Sequence, residues 1–323
     1  MEKQGTVIRN YAEQIKANIS EIIVGKEYTL KMLLTAIVAG GHVLLEDVPG
    51  TGKTVMTKAL AGSIGGTFTR IQFTPDLLPS DVVGLKIFDQ KEGDFVLKKG
   101  PIFGNIVLAD ELNRATPRTQ SSLLECMEER QVTIDGQTVK LSAPFIVIAT
   151  QNPVETAGTY PLPEAQLDRF LMKLSMGLPD KVEEIAIMER FLRDTYTTDR
   201  TKELSMVCSC AELVKMQKAA AETYVHPSVI EYISDIVVGT RKHSSVKLGI
   251  SPRGTLAMLR AAKSYAYITG RDYVVPEDVK ALAVPVFAHR IVLSSGFGGE
   301  TEKKRLVEDI VAKIIVPTEE WNK

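Results

Sequence analysis

Val43-Leu44-Leu45-Glu46-Asp47-Val48-Pro49-Gly50-Thr51-Gly52-Lys53-Thr54 is the stretch on which the reading of this chain turns. A short apolar run, suited to a buried strand, leads into a glycine-containing loop, and a segment of helical period follows at once. Glycines let a backbone turn sharply and aim its N–H groups at phosphate oxygens, while the helix behind the loop presents its positive end to them. In such a loop Lys53 neutralises β- and γ-phosphates and the Thr54 hydroxyl binds Mg²⁺, with Pro49, Gly50, Thr51, Gly52 and Val55 completing the cradle. The pattern G-x-x-x-x-G-K-[ST] fails at one place: Asp47 stands where its first Gly would be and brings an acid towards the phosphates. A glycine-rich turn that binds nothing is the plain alternative, and the strand–loop–helix context weighs against it.

A second apolar run, Ile106-Val107-Leu108-Ala109, ends in Asp110-Glu111. A buried parallel strand delivers its last residues to the carboxyl edge of the sheet, beside the phosphate loop. Asp110 is then placed to hold Mg²⁺ through water, and Glu111 to polarise an attacking water. A strand that simply ends in solvated charges explains the two acids alone, and explains them less well beside the loop. Strand candidates at 42–46, 67–73, 105–110, 144–150 and 171–178 alternate with helical stretches at 8–23, 28–39, 53–64 and 117–130, the pattern of a parallel sheet covered on both faces.

After Pro179-Asp180 the character changes. Helical patterns follow at 181–194, 211–221, 227–240, 252–269, 276–289 and 302–315, several opening on Pro behind a polar residue, as in Ser251-Pro252. The expected fold is α/β, with an αβα core and parallel sheet over 1–180 and an all-helical lid over 181–323. Two hairpins interrupt the core, at 85–98 with a turn near Glu92-Gly93, and at 131–141 with a turn at Asp135-Gly136.

Composition narrows the class. A length of 323 residues suits roughly two domains, and 44% hydrophobic with 24% charged residues is ordinary for a soluble globular chain. Lys+Arg number 39 and Asp+Glu 40, a formal charge of −1, so no general basic field exists to hold a polyanion. The odd set Cys126, Cys208 and Cys210 points to a reducing cytosol rather than a disulfide framework. No apolar run reaches the roughly 20 residues of a membrane span, and Met1-Glu2-Lys3-Gln4 does not open a signal peptide, so a cytoplasmic protein without membrane insertion is expected. His42, His226, His243 and His289 show no ligand spacing, and neither do the cysteines, leaving nucleotide-bound Mg²⁺ as the expected metal.

Five further stretches join the two nucleotide motifs: Phe73-Thr74-Pro75-Asp76-Leu77-Leu78-Pro79-Ser80-Asp81, Asp110-Glu111-Leu112-Asn113-Arg114-Ala115, Ala149-Thr150-Gln151-Asn152-Pro153, Pro163-Glu164-Ala165-Gln166-Leu167-Asp168-Arg169-Phe170 and Ser251-Pro252-Arg253. With them the chain resembles an AAA+ ATPase of the MoxR family over nearly its whole length. MoxR-like proteins often carry an acid at the first phosphate-loop position, so Asp47 suits that branch. The resemblance implies an ATP hydrolase using ATP and Mg²⁺. It assigns Asn152 the sensor that positions water against the γ-phosphate, and Arg169 the arginine finger supplied to a neighbouring subunit's nucleotide. Arg253 resembles the second sensor, reaching from the lid to the γ-phosphate of its own subunit. Without the family, Asp168-Arg169 is a surface ion pair and Arg253 a solvated residue in a helix's first turn.

Val24 and Gly25, in Ile22-Ile23-Val24-Gly25, resemble the adenine-facing stretch, although an apolar approach into the fold looks the same. Arg114 and Arg118 are weaker candidates for the neighbour contact, since a helix start facing water accounts for them equally. The implied active form is a homo-oligomer, a hexameric ring, that matures or activates client protein complexes, often metal-containing, beside a partner with a von Willebrand factor A domain. A metal-chelatase ATPase subunit and a helicase-like nucleic-acid motor stay open as alternatives. The hairpin turns at 89–94 and Asp135-Gly136 are not basic, which argues against a nucleic-acid partner.

Overall fold

The computed structural model describes residues 2–91, 93–153, 158–193, 201, 204–294 and 299–318; Glu92 of the first expected turn and Asp194 at the end of the expected helix 181–194 lie outside them. Two helices, α1 (Glu2–Ser20) and α2 (Glu27–Val38), precede β1 (Val43–Glu46), and the loop after β1 runs into α3 (Lys53–Ser63). Then come β2 (Phe68–Gln72), α4 (Pro79–Val83) and a hairpin of β3 (Gly84–Asp89) and β4 (Asp94–Lys99). β5 (Ile106–Asp110) and α5 (Pro117–Glu129) lead to a second hairpin of β6 (Gln131–Ile134) and β7 (Gln137–Lys140). β8 (Ile146–Gln151), α6 (Glu164–Leu167) and β9 (Met172–Leu174) complete the sheet region.

The five-stranded sheet has the order β2-β5-β8-β1-β9, and every pairing is parallel. Register sets Gln72 beside Asp110 and Glu46 beside Gln151, so the carboxyl ends of four strands share one edge. Alternate side chains serve two different cores. Val43, Leu45, Ile106, Leu108, Ile146 and Ile148 pack towards α2 and α3, whereas Leu44, Val107, Ala109, Val147 and Ala149 pack with residues of α5. That is why these strands read as unbroken apolar runs rather than alternating ones.

The rest of the chain is mainly helical: α7 (Lys181–Arg193), α8 (Cys210–Ala221), α9 (Pro227–Lys242), α10 (Pro252–Ile268), α11 (Pro276–Phe287) and α12 (Glu300–Lys313), with short β10 (Val246–Leu248) and β11 (Val292–Leu293) paired antiparallel. Polar residues before the helices cap them: Ser209 accepts from the Glu212 N–H and Ser251 from the Gly254 N–H. These helices share one apolar core with the sheet, in which Leu33 and Ile37 of α2 lie with Met216 of α8 and Met258 and Ala262 of α10.

Some expected boundaries move, for local reasons. The strand expected at 171–178 ends at Leu174, because the backbone N–H groups of Met176 and Gly177 donate to the Asp47 carboxylate instead of continuing the ladder with β1. The helix expected at 8–23 runs from Glu2 to Ser20, and Gly25 and Lys26 then turn the chain with φ of 66° and 64°. In the second hairpin Asp135 and Gly136, with φ of 48° and 76°, form a two-residue turn between paired Ile134 and Gln137. On the first hairpin Phe88 and Phe95 are exposed and meet edge to face at 5.4 Å. α7 exposes Val182, Ile185, Met188 and Leu192. Among the described residues no helix is long and apolar enough to cross a membrane.

His42, just before β1, is a buried polar residue whose bonds define its state. Its Nδ1 accepts from the Val147 N–H at 2.9 Å and its Nε2 lies 3.0 Å from the Met127 carbonyl, so a neutral ring with the proton on Nε2 satisfies both. Burial, followed by the charge of Arg130, lowers its pKa from 6.5 to about 3. The folded value lies below the unfolded one, so this contribution to stability is complete above about pH 6.5 and is lost as pH falls towards 3. His42→Gln is expected to flatten the pH dependence of the urea-unfolding free energy between pH 6 and pH 4 by about 1.4 kcal/mol per unit. An unchanged slope would mean that protons reach the ring in the folded chain.

Candidate functional site

The loop after β1 owes its shape to two glycines. Gly50 and Gly52 have φ of 85° and 86°, a region that side chains with a Cβ enter only with strain. Nothing lies within 4 Å of the place a Gly50 Cβ would take, so the loop stays open above the start of α3. Lys53 folds its ammonium back over the loop and donates to the carbonyls of Asp47 and Val48 at 3.0 Å each. The cleft here measures about 390 Å³. It joins Pro49, Gly50, Thr51, Gly52, Lys53, Thr54 and Val55 to Asp110, Glu111 and Asn152, with Arg70, Gln72 and Thr150 also on its walls.

The two acids are held differently. Asp110 accepts from the Thr150 hydroxyl at 2.7 Å and from Arg70 Nη2 at 2.6 Å. Glu111 has a positive φ of 56°, uncommon for a residue with a Cβ, and its N–H donates to Thr150 Oγ1 at 2.8 Å. Its carboxylate accepts from Gln72 Nε2 at 2.8 Å and from Arg114 Nη1 at 3.1 Å. Arg114 thus contacts an acid of its own chain. Arg118 is exposed in the first turn of α5. Asn152 follows β8, buried, with its carbonyl 3.5 Å from Asn113 Nδ2.

Asp47 is also on the wall of the cleft, with its carboxylate held from the far side of the loop. Its buried carboxylate accepts from Ser175 Oγ at 2.7 Å, from the Met176 N–H at 2.6 Å and from the Gly177 N–H at 3.0 Å. Three donors beyond β9 turn the acid into the tie between the loop and the chain leading to α7.

Arg169 and Arg253 are not on the walls of the cleft. Arg169 donates to the Leu124 carbonyl at 2.8 Å and pairs with Glu128 at 3.1 Å, while Arg253 pairs with the other oxygen of the same Glu128. Arg253, expected to reach its own subunit's phosphates, is here paired with Glu128 instead. The ion pair sets the start of α10 beside the end of α5. Asp168 does not pair with Arg169 either; it accepts from Arg290 Nε at 2.7 Å and from the Ser251 hydroxyl at 2.9 Å. Val24 and Gly25 are likewise absent from the cleft walls, although their neighbour Ile23 lies against Gly52.

Comparison with known proteins agrees with this architecture. Residues 42–172 match the ATPase family associated with various cellular activities (AAA), and residues 238–313 match the AAA lid domain. Chaperone MoxR1 of Mycobacterium tuberculosis is 40% identical over 93% of this chain and 80% of its own length. The chain belongs to the MoxR family of AAA+ ATPases. Protein YeaC of Bacillus subtilis is 49% identical over 94% of this chain and 93% of its own. A crystal structure from Cytophaga hutchinsonii, 39% identical, superposes with a TM-score of 0.89 over 98% of each chain.

The cleft of this MoxR-family chain fits a nucleoside triphosphate with a hard divalent cation: an open backbone cradle, one ammonium, a hydroxyl and two carboxylates. Arg70, Gln72 and Thr150 were not singled out in the sequence. Arg70 and Gln72 occupy the polar positions of β2 that flank Ile71, a pattern that marks a strand face without saying what lies next to it. Asp47→Gly, which restores the glycine of the general loop pattern, strands the N–H groups of Met176 and Gly177. It is expected to lower the free energy of unfolding by about 2–4 kcal/mol in urea titrations. A neutral or stabilising result would show that the three contacts add nothing.

Proposed function

We propose that the chain is an ATP-hydrolysing ring subunit, with residues 1–180 as its nucleotide core and 181–323 as its lid. One observation carries the reading. Phosphate loop and acids converge on one cleft, whereas Arg169 and Arg253 gather elsewhere on the chain, with Glu128. Each copy thus offers a nucleotide site without Arg169 or Arg253 and a pair of arginines without a nucleotide loop, and a second copy completes both. A closed ring, a hexamer by family resemblance, satisfies every such contact.

Within the cleft, Lys53 and the loop N–H groups bind the β- and γ-phosphates, and Thr54 and Asp110 hold Mg²⁺. The cation, when bound, neutralises charge on the phosphate oxygens. Glu111 orients and polarises the attacking water, its carboxylate aimed by Gln72 and Arg114, with Asn152 as a second polar group near the γ-phosphate. Arg169 and Arg253 stabilise charge on the phosphoryl group of the neighbour's nucleotide. For the cleft to open and close, the lid must move relative to the loop, and the hairpins with exposed Phe88 and Phe95 are suited to carry that motion to a protein client. The name of the Mycobacterium relative, a chaperone, supports protein clients, as do the non-basic hairpin turns.

Glu111→Gln is expected to bind ATP and turn it over at least 10²-fold more slowly. Arg169→Ala and Lys53→Ala are each expected to be nearly inactive alone and to regain ATPase activity when mixed, because mixed rings pair an intact loop with an intact arginine. Steady-state phosphate release against mixing ratio measures this; two inactive variants that stay inactive together would sink the shared site.

A further inference from the structure

We propose that Glu128 is an internal competitor for the phosphate group that Arg169 and Arg253 bind on a second copy, and that its carboxylate must leave them before the neighbour's nucleotide can engage. The inference rests on the proposed action of these arginines across an interface.

Glu128 is the last residue but one of α5, and its two oxygens are divided between two guanidiniums from distant parts of the chain. Oε2 is 3.1 Å from Nη1 of Arg169, in the loop after α6, and Oε1 pairs with Nη2 of Arg253, at the start of α10. Each guanidinium thus meets a single oxygen of Glu128, a charge-assisted contact that a phosphate oxygen can also accept. Arg169 also keeps a buried Nε without a hydrogen-bond partner, so its fork is only partly used.

The surroundings hold more positive charge than Glu128 neutralises. A cavity of about 240 Å³ beside it has Arg130 and Arg260 on its walls, together with Arg169 and Arg253. Burial lowers the Arg260 pKa, and the nearby charges of Arg130 and Arg253 lower it further, the mark of cations crowded together. Asp168, the other acid of this cavity, already serves Arg290 and Ser251. Within this cavity Glu128 faces a set of cations suited to a more highly charged terminal phosphate, while on its other side Glu125 and Glu129 lie with Arg169 around a second cavity. The pairs are also accessible: side-chain exposure is 35% for Glu128, 31% for Arg169 and 44% for Arg253. Ion pairs so exposed are weak enough for an outside phosphate to displace.

A purely structural Glu128, one that aims the two arginines, predicts the opposite sign when its charge is removed. The test is sedimentation velocity with ATP and Mg²⁺ in the slowly hydrolysing Glu111→Gln background, which reads assembly rather than turnover. Glu128→Gln, similar in shape but uncharged, is expected to lower the protein concentration at half-assembly by about 2- to 30-fold, the range for releasing two exposed ion pairs. Glu128→Ala should move it in the same direction, and matching thermal unfolding midpoints will verify that both variants fold. The combined Arg169→Ala, Arg253→Ala variant is expected to raise the concentration. If it does so while Glu128→Gln leaves the concentration unchanged or raises it, the competitor role is overturned and the interface role of the arginines stands. If the double variant assembles like the parent, the interface role fails and the competitor role with it.

Discussion

The carboxylate of Asp168 is the constraint that joins the two parts of the chain. Arg290 carries a guanidinium whose side chain is 2% exposed, and a buried cation without a partner would cost several kcal/mol. It is stabilised by Asp168 at 2.7 Å and by donating to the carbonyls of Phe170 at 2.6 Å and Leu171 at 3.2 Å, just ahead of β9. Burial still lowers its pKa from 12.5 to about 10, with Asp168 opposing that shift. Because Asp168 also accepts from Ser251, the cap of α10, one acid locks the turn after α11, the start of α10 and the approach to β9 together. Arg169 follows it in the chain and Arg253 lies two residues past Ser251, so both arginines take their places from this contact.

A comparable tie operates at the nucleotide cleft. Parallel pairing sets the end of β8 beside that of β1 and the end of β5 beside that of β8, which brings Asp110, Glu111 and Asn152 to the loop, and Thr150, Gln72 and Arg70 then hold the two acids. Asp47 adds what the sheet alone does not provide, a mechanical link from the loop to residues 175–177 and on towards α7. The position that departs from the general phosphate-loop pattern is therefore the one that couples the loop to the lid side of the molecule.

The legible parts of this protein are those in which meaning is local. Lys53 and Thr54 follow their glycines directly, Asp110 and Glu111 end an apolar strand, and the strands stand out as unbroken apolar runs because the sheet is covered on both faces. The partner of Arg253 was not legible, since Glu128 lies 125 residues away in the chain. The partners of Asp47 were hidden for the same reason: they lie 128 to 130 residues away. Arg70 and Gln72 were hidden in an ordinary strand alternation, and only the register of β2 against β5 shows that Gln72 stands beside Asp110.

The strand order also has a temporal side. β1 pairs residues 43–46 with 148–151 on one edge and residues 43–45 with 172–174 on the other, so both of its neighbours are synthesised more than a hundred residues later. During translation the phosphate loop emerges early and has no sheet to stand on until β8 and β9 have left the ribosome. Until then β1 carries two bare apolar edges, the kind of segment that nascent chains must shield from wrong partners. The most recognisable motif of the sequence thus acquires its sheet only after more than a hundred further residues have been made.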